Sequence, residues 1–215
     1  MERLICLLIG YFLGNIQMAY IVGKKHGIDI RQHGSGNAGS TNALRVLGKK
    51  AAAIVFIGDI LKCGIAILIA RFLYINSQPD IAYLYMLYAA AGTILGHNFP
   101  IILGFKGGKG IACTAGLVIF YHPILFPVAF ILFIGTFLIT HYVSLGSLLV
   151  YVGFIIEIII LGQMGFLGAM TTASLIELYI ISFFLAAMAF IKHRKNIKRL
   201  LTHSESKTYL NKKIK

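Results

Sequence analysis

The sequence predicts an all-α fold: a polytopic membrane helical bundle of about seven transmembrane helices. Three observations predict it. The 215 residues are 58% hydrophobic and only 13% charged, whereas a soluble domain is about a quarter charged. Mean hydropathy is +0.83, and the apolar residues gather into windows near the roughly 20 residues that a helix needs to cross a bilayer. Lys and Arg alternate between rich and poor connecting segments, as the positive-inside rule demands of a chain that crosses repeatedly.

The windows run, in order, over Leu4–Val22, Ala51–Leu73, Ile81–Leu95, Ile111–Tyr121, Ile124–Thr140, Leu145–Leu161 and Thr171–Ile191. The fourth is short for a span, and Pro123 and Pro127 blur its border with the fifth. Glu2 and Arg3 make a weak n-region and no small-x-small pattern follows, so the first window is read as a retained span. No long repeat or low-complexity linker divides the chain, and residues 1–215 are expected to form a single integral-membrane domain.

The first connection holds Lys24, Lys25, Arg31, Arg45, Lys49 and Lys50; the second, around Asn76–Asp80, is nearly uncharged. The third holds Lys106 and Lys109, the turn at His122–Pro123 has no Lys or Arg, and the tail carries Lys195, Lys198, Arg199, Lys207, Lys212, Lys213 and Lys215. That alternation places the N-terminus outside and the C-terminus in the cytoplasm. The net charge of +13 is thereby a matter of topology and anionic lipid, not of nucleic acid. Cys6, Cys63 and Cys113 stand apart in apolar runs, so neither a disulfide framework nor a zinc site is expected.

Four polar segments carry candidate chemistry. Gly34-Ser35-Gly36-Asn37-Ala38-Gly39-Ser40-Thr41-Asn42, with Arg45 three residues on, has the glycines, hydroxyls and amides of an anion nest. Thr41 or Asn42 is expected to cap a following helix, with Arg45 forking onto a phosphate. Gly96-His97-Asn98-Phe99 and then Phe105-Lys106-Gly107-Gly108-Lys109-Gly110 set glycines around a lysine. This is not a nucleotide P-loop, because Leu103 replaces its first Gly and Gly110 its Ser/Thr. His141 to Ser147, with Ser144, joins the fifth and sixth windows, and His193-Arg194-Lys195-Asn196 closes the last, with His193 and Asn196 on one helical face. The topology puts all four on the cytoplasmic face, a site for phosphate-bearing molecules. Within the spans, Asp59 and Lys62 stand at i, i+3 and can pair; Glu157 lies mid-span without an evident partner; Asn15 and Gln17 are expected to bond between helices. From these residues alone, an enzyme, a membrane transporter of an organic phosphate and a lipid-binding scaffold are all open.

The same residues carry a resemblance. Gly27-Ile28-Asp29-Ile30-Arg31 with Gly34–Asn42 and Arg45, then Gly96-His97 with Phe99 and Phe105–Gly110, then His193-Arg194, Asn196-Ile197, Arg199-Leu200 and Glu205 resemble the three ordered signatures of the PlsY-type acyl-phosphate:glycerol-3-phosphate acyltransferases. Asp59, Lys62, Ser144 and Ser147 match further family positions. Asn15 and Gln17 depart from the family's usual Ser and Pro, Cys63 from a Gly after the lysine, and His203 from a Gly before the final glutamate. The resemblance implies transfer of an acyl group from acyl phosphate to the 1-hydroxyl of glycerol 3-phosphate, giving lysophosphatidic acid and phosphate, in a bacterial cytoplasmic membrane. It implies catalytic roles for His97, His193 and Asn196. It implies phosphate or substrate binding by Ser35, Gly36, Asn37, Thr41, Asn42, Arg45, Gly107, Gly108, Lys109, Ser144 and Arg194. No cofactor, metal or nucleic acid is implied; the expected partners are the two substrates, membrane lipid and a soluble enzyme that makes acyl phosphate. No GxSxG elbow appears, and Ile102 stands where a His-x-x-x-x-Asp signature needs Asp, so direct transfer without an acyl-enzyme is expected.

Overall fold

The apolar windows are helical in the structure, a computed structural model that describes residues 1–209. Lys212, Lys213 and Lys215 of the basic tail lie outside the described residues. The helices are α1 Glu2–Gly14, α2 Met18–Lys25, α3 Ser40–Leu47, α4 Lys49–Tyr74, α5 Ala82–Asn98, α6 Ile111–Phe120, α7 Leu125–Thr140, α8 Val143–Gln163, α9 Thr172–Lys192 and α10 Arg194–Leu201. The described residues contain no strand. Five stretches are long and apolar enough to cross a membrane: Glu2–Lys25, Lys49–Tyr74, Ala82–Leu103, Val143–Gln163 and Thr172–Lys192; α6 and α7 are shorter apolar helices. Phe12, Phe72, Ile131 and Ile139 are exposed, an arrangement that suits lipid and not water.

The described residues form two compact units, one of Met1–Tyr121 and one beginning at His122. In the first unit, α1 packs along α5 so closely that glycines are required. A Cβ on Gly14 would lie 2.9 Å from Gly96 Cα, and one on Gly92 would lie 2.9 Å from the backbone nitrogen of Tyr11. Gly10 and Gly14 on one helix thus face Gly92 and Gly96 on the other, small residues four apart that let two backbones touch.

The first window is two helices, not one. The chain leaves helical geometry at Gln17, φ −90° and ψ 89°, which strips the carbonyls of Gly14 and Ile16 of ordinary helical partners. Lys62 Nζ takes both, at 3.2 and 2.7 Å, and Gln17 Nε2 also reaches Gly14 O at 3.0 Å. A break inside hydrocarbon persists only where such donors replace the lost ladder. Gln17 bonds between helices as expected, to Gly96 O and His97 O, whereas Asn15 bonds back to Tyr11 O within α1. Glu157 is buried in α8, and its Oε1 has no hydrogen-bond partner among the described residues.

In the second unit α7, α8 and α9 pack in sequence, and α10 touches α8 and α9. The residues after α10 return to the α7–α8 turn, where Thr208 N donates to His141 O at 2.9 Å. His203 turns left-handed, φ 54°, at the position where the resembled family usually carries glycine, so the replacement keeps the turn at a steric cost that histidine tolerates better than branched residues.

Candidate active site

His97 is not a loop residue. It occupies the last turn of α5, is 3% exposed, and is held from three sides. Its Nδ1 lies 3.0 Å from Lys62 Nζ and 3.5 Å from Asp59 Oδ1. Lys62 and Asp59 form the i, i+3 pair the spacing predicts, 2.8 Å apart. A carboxylate therefore stands beside this histidine, which the sequence spacing does not reveal. The main chain is fixed too: His97 O accepts from Gly108 N at 3.0 Å and from Gln17 Nε2 at 3.2 Å.

The loop after α5 needs its glycines for space. Gly107 and Gly108 are not left-handed. A Cβ on Gly107 would strike His97 O and come 2.6 Å from Pro100 Cδ; one on Gly108 would strike His97 Nε2 and come 2.8 Å from Ala38 O. Gly108 thus lies between the imidazole and the Ser35–Asn42 loop, joining the first two polar segments. Lys109 follows it directly, half-buried.

In the first loop Gly34 and Gly36 are left-handed, φ 60° and 71°, while Gly39 is extended at φ −153° and serves as the N-cap of α3. The cap expected at Thr41 or Asn42 is therefore displaced to Gly39, and both residues lie inside the helix. Asn42 is buried and ties the loop together: its Oδ1 accepts from Ser35 N at 2.8 Å, and its Nδ2 donates to Ile30 O and His33 O. Ser35, Gly36 and Arg45 are exposed; Asn37 and Thr41 are half-buried. Arg31 clamps Asp29, with Nη2 2.7 Å from Oδ2, and reaches Leu103 O at 3.5 Å. That guanidinium holds the Asp29 carboxyl down to about 2.

The second unit builds its own polar cluster around Glu205. Oε1 accepts from Ser144 Oγ at 2.8 Å and Asn196 Nδ2 at 2.6 Å, and Oε2 from Arg199 Nε at 2.6 Å. Burial pushes the Glu205 carboxyl up, but the bonds from Asn196, Arg199 and Ser144 outweigh it, and the net shift is downward. His193, buried between α9 and α10, places Nδ1 2.8 Å from Ala189 O. A carbonyl only accepts, so that nitrogen bears a proton and the lone pair of a neutral ring lies on Nε2. Arg194 is exposed. Glu205, absent from the site residues expected above though part of the resembled motif, organises Ser144, Asn196 and Arg199.

Comparison with known proteins follows the same residues. Residues 4–203 match the family model described as glycerol-3-phosphate acyltransferase. A glycerol-3-phosphate acyltransferase of Thermoanaerobacter sp. (strain X514) is 42% identical over 208 residues, 96% of each chain. That of Clostridioides difficile (strain 630) is 41% identical over 207 residues, 95% of this chain and 94% of the relative. Among solved structures, the glycerol 3-phosphate form of PlsY, an integral membrane glycerol 3-phosphate acyltransferase, superposes with a TM-score of 0.83 at 32% identity, covering 97% of this chain and 96% of that one. Its lysophosphatidic acid form gives 0.80 at 31%, covering 98% and 97%.

Proposed function

Because the chain belongs to the glycerol-3-phosphate acyltransferase family, we propose that it acylates glycerol 3-phosphate, taking the acyl group from acyl phosphate. The 1-hydroxyl oxygen attacks the acyl carbonyl carbon and forms the ester bond. The bond from carbonyl carbon to phosphate oxygen breaks, phosphate departs, and the product is 1-acyl-glycerol 3-phosphate. An acyl phosphate is a mixed anhydride with a good leaving group, so the protein's main task is to hold two anions in register, a matter of orientation and charge.

The observation that carries this reading is Gly108, seated between His97 Nε2 and Ala38 O. It draws the Ser35–Asn42 loop and the Gly107–Lys109 loop into one anion-binding edge. We assign phosphate binding to Ser35, Arg45 and Lys109. Gly36, Asn37, Thr41, Gly107 and Gly108 supply backbone and small polar groups, and Asn42 shapes the loop. In the second unit, His193, Arg194, Asn196 and Ser144 are assigned to substrate. Ser144 commits its proton to Glu205, so its oxygen offers lone pairs, which suit a glycerol hydroxyl better than a phosphate oxygen. The site faces the cytoplasm in this reading, as the loop charges require, with the acyl chain in the bilayer.

The departing phosphate takes the hydroxyl proton, and His97 acts as a donor to it. His97→Gln keeps a donor at the Nε2 position but cannot serve as a base. With purified protein, glycerol 3-phosphate and palmitoyl phosphate, the variant is expected to keep turnover at saturating substrate within about tenfold of wild type. A loss in the range of 10²–10⁴ typical of a missing general base would contradict the proton path, and failure of folded wild type to form lysophosphatidic acid would contradict the function.

A further inference from the structure

Asp59 and Lys62 lie in α4 outside the anion-binding edge, yet they contact the histidine beside it. In its salt bridge with Asp59 the Lys62 head is an ammonium, with three protons and no lone pair. Besides Asp59 Oδ1 at 2.8 Å, those protons serve Ile16 O at 2.7 Å, His97 Nδ1 at 3.0 Å and Gly14 O at 3.2 Å. The ammonium can only donate, so His97 Nδ1 must accept. The proton of the neutral ring then lies on Nε2, the nitrogen that faces Gly108. Asp59 Oδ1 lies farther from Nδ1, at 3.5 Å, beyond the roughly 2.7–3.2 Å usual for an N–H···O bond, so the shorter contact with the ammonium sets the role of that nitrogen. Asp59 and His97, with Cys113, bring donor atoms within 4.8 Å of one another, a set that elsewhere suits a cation. Here the lysine already supplies the positive charge to two of the three.

We propose that the Asp59–Lys62 pair is a positioning device, anchored in the break between α1 and α2, that fixes His97 as an Nε2–H donor aimed at the glycine-framed anion. Backbone carbonyls at the break and the imidazole share one ammonium, so helix geometry and ring tautomer are set together. A histidine rotating freely in a polar loop divides its time between tautomers and orientations, some of which present a lone pair to an anion. The pair removes that choice before substrate arrives, which is the form of preorganisation that electrostatic catalysis requires. A charged pair inside the hydrocarbon is costly and is retained for function more often than for packing. The inference rests on the proposed function for the identity of the anion, but not for the tautomer.

Nitrogen-15 NMR of the full chain in detergent, labelled at histidine, tests it, with the His97 resonances identified by their loss in His97→Gln. The expected wild-type result at neutral pH is an unprotonated Nδ1 and a protonated Nε2. A proton on Nδ1 overturns the proposal whatever the enzyme does, and a protein that makes no lysophosphatidic acid but shows the expected tautomer fails the functional reading alone. The second arm is a double-mutant cycle. His97→Ala is expected to lower kcat/KM by about 100-fold, as for loss of a hydrogen bond to a charged group. Asp59→Asn combined with Lys62→Met, which leaves no buried charge unpaired, is expected to lower it by about 10- to 100-fold on the same scale. Placed on His97→Ala, the paired change should add less than about twofold. Full additivity would mean that the pair serves only packing, and overturns the proposal.

Discussion

Gly108→Val is expected to lower kcat/KM for lysophosphatidic acid formation by at least about 100-fold while the protein still folds and inserts. The smallest part of a valine, its Cβ, already strikes His97 Nε2 and approaches Ala38 O to 2.8 Å, and the branched methyls need more room still. His97 cannot retreat, because its Nδ1 is held by Lys62 and its carbonyl by Gly108 N and Gln17 Nε2. The loop must move instead, carrying Lys109 with it, and displacement of a positioning group by about 1 Å costs on the order of 10²-fold. In free-energy terms that is about 2.7 kcal/mol of lost transition-state stabilisation. Gly104→Asn is the control. Gly104 is left-handed, φ 61°, with nothing within 4 Å of a Cβ, and asparagine tolerates that conformation. It should keep activity within about threefold of wild type. Steady-state kinetics on both variants, with size-exclusion profiles to show folding, separates a local clash from general damage; equal activity in the two would contradict the proposed edge.

Glu205→Leu is the second large effect, and it acts on stability and turnover together. One carboxylate serves Ser144, Asn196 and Arg199, so its removal leaves the donors of Ser144 and Asn196 facing an apolar side chain and loosens the segment that follows α10. Hydrogen bonds to a charged group contribute about 1.5–3 kcal/mol each, reduced here because Arg199 is partly exposed. The expected result is a lowered unfolding temperature and a loss of activity of about 100-fold, through misplacement of Ser144 and Asn196. Glu205→Gln keeps one acceptor and should fall between wild type and Glu205→Leu. The carboxylate also predicts a pH dependence. Its folded-state pKa is depressed below the ordinary 4.5, so the stabilisation is fully present above that value and is lost as pH falls below it, through the folded pKa. Thermal unfolding of wild type across that range should show a loss that Glu205→Gln lacks. A Glu205→Gln curve parallel to wild type would contradict the assignment.

The apolar spans are legible because lipid imposes a length and a composition on any helix that crosses it, and windows of that length need no tertiary information. The break between α1 and α2 is not legible, since no Pro or paired Gly marks Asn15–Gln17; it exists because Lys62, far along the chain, takes the carbonyls that the break exposes. Gly96 next to His97 reads as loop chemistry, but it is half of a close helix contact with α1. The spacing that reveals this is Gly10-x-x-x-Gly14 against Gly92-x-x-x-Gly96, a pattern written in both helices.

Residues of the candidate site divide along the same line. Glycines and cations clustered within one loop are visible locally, as with Ser35 to Arg45 and Gly107 to Lys109. Asp59 and Lys62 are visible as a helical pair at i, i+3, but their contact with His97 depends on α4 packing against α5, which no local period encodes. Asn42 reads as a phosphate ligand or a cap by its residue type, and its burial among backbone groups of its own loop gives it a structural task. Glu205 enters through the resembled motif alone, because its three partners come from α8 and α10.

Donor competition in purified protein decides which acyl donor the site accepts. Supplied with glycerol 3-phosphate and either palmitoyl phosphate or palmitoyl-CoA, the protein is predicted to form lysophosphatidic acid and release phosphate with the acyl phosphate only. Equal or exclusive use of the CoA thioester would leave an acyltransferase standing and contradict the account of a site built for two phosphates.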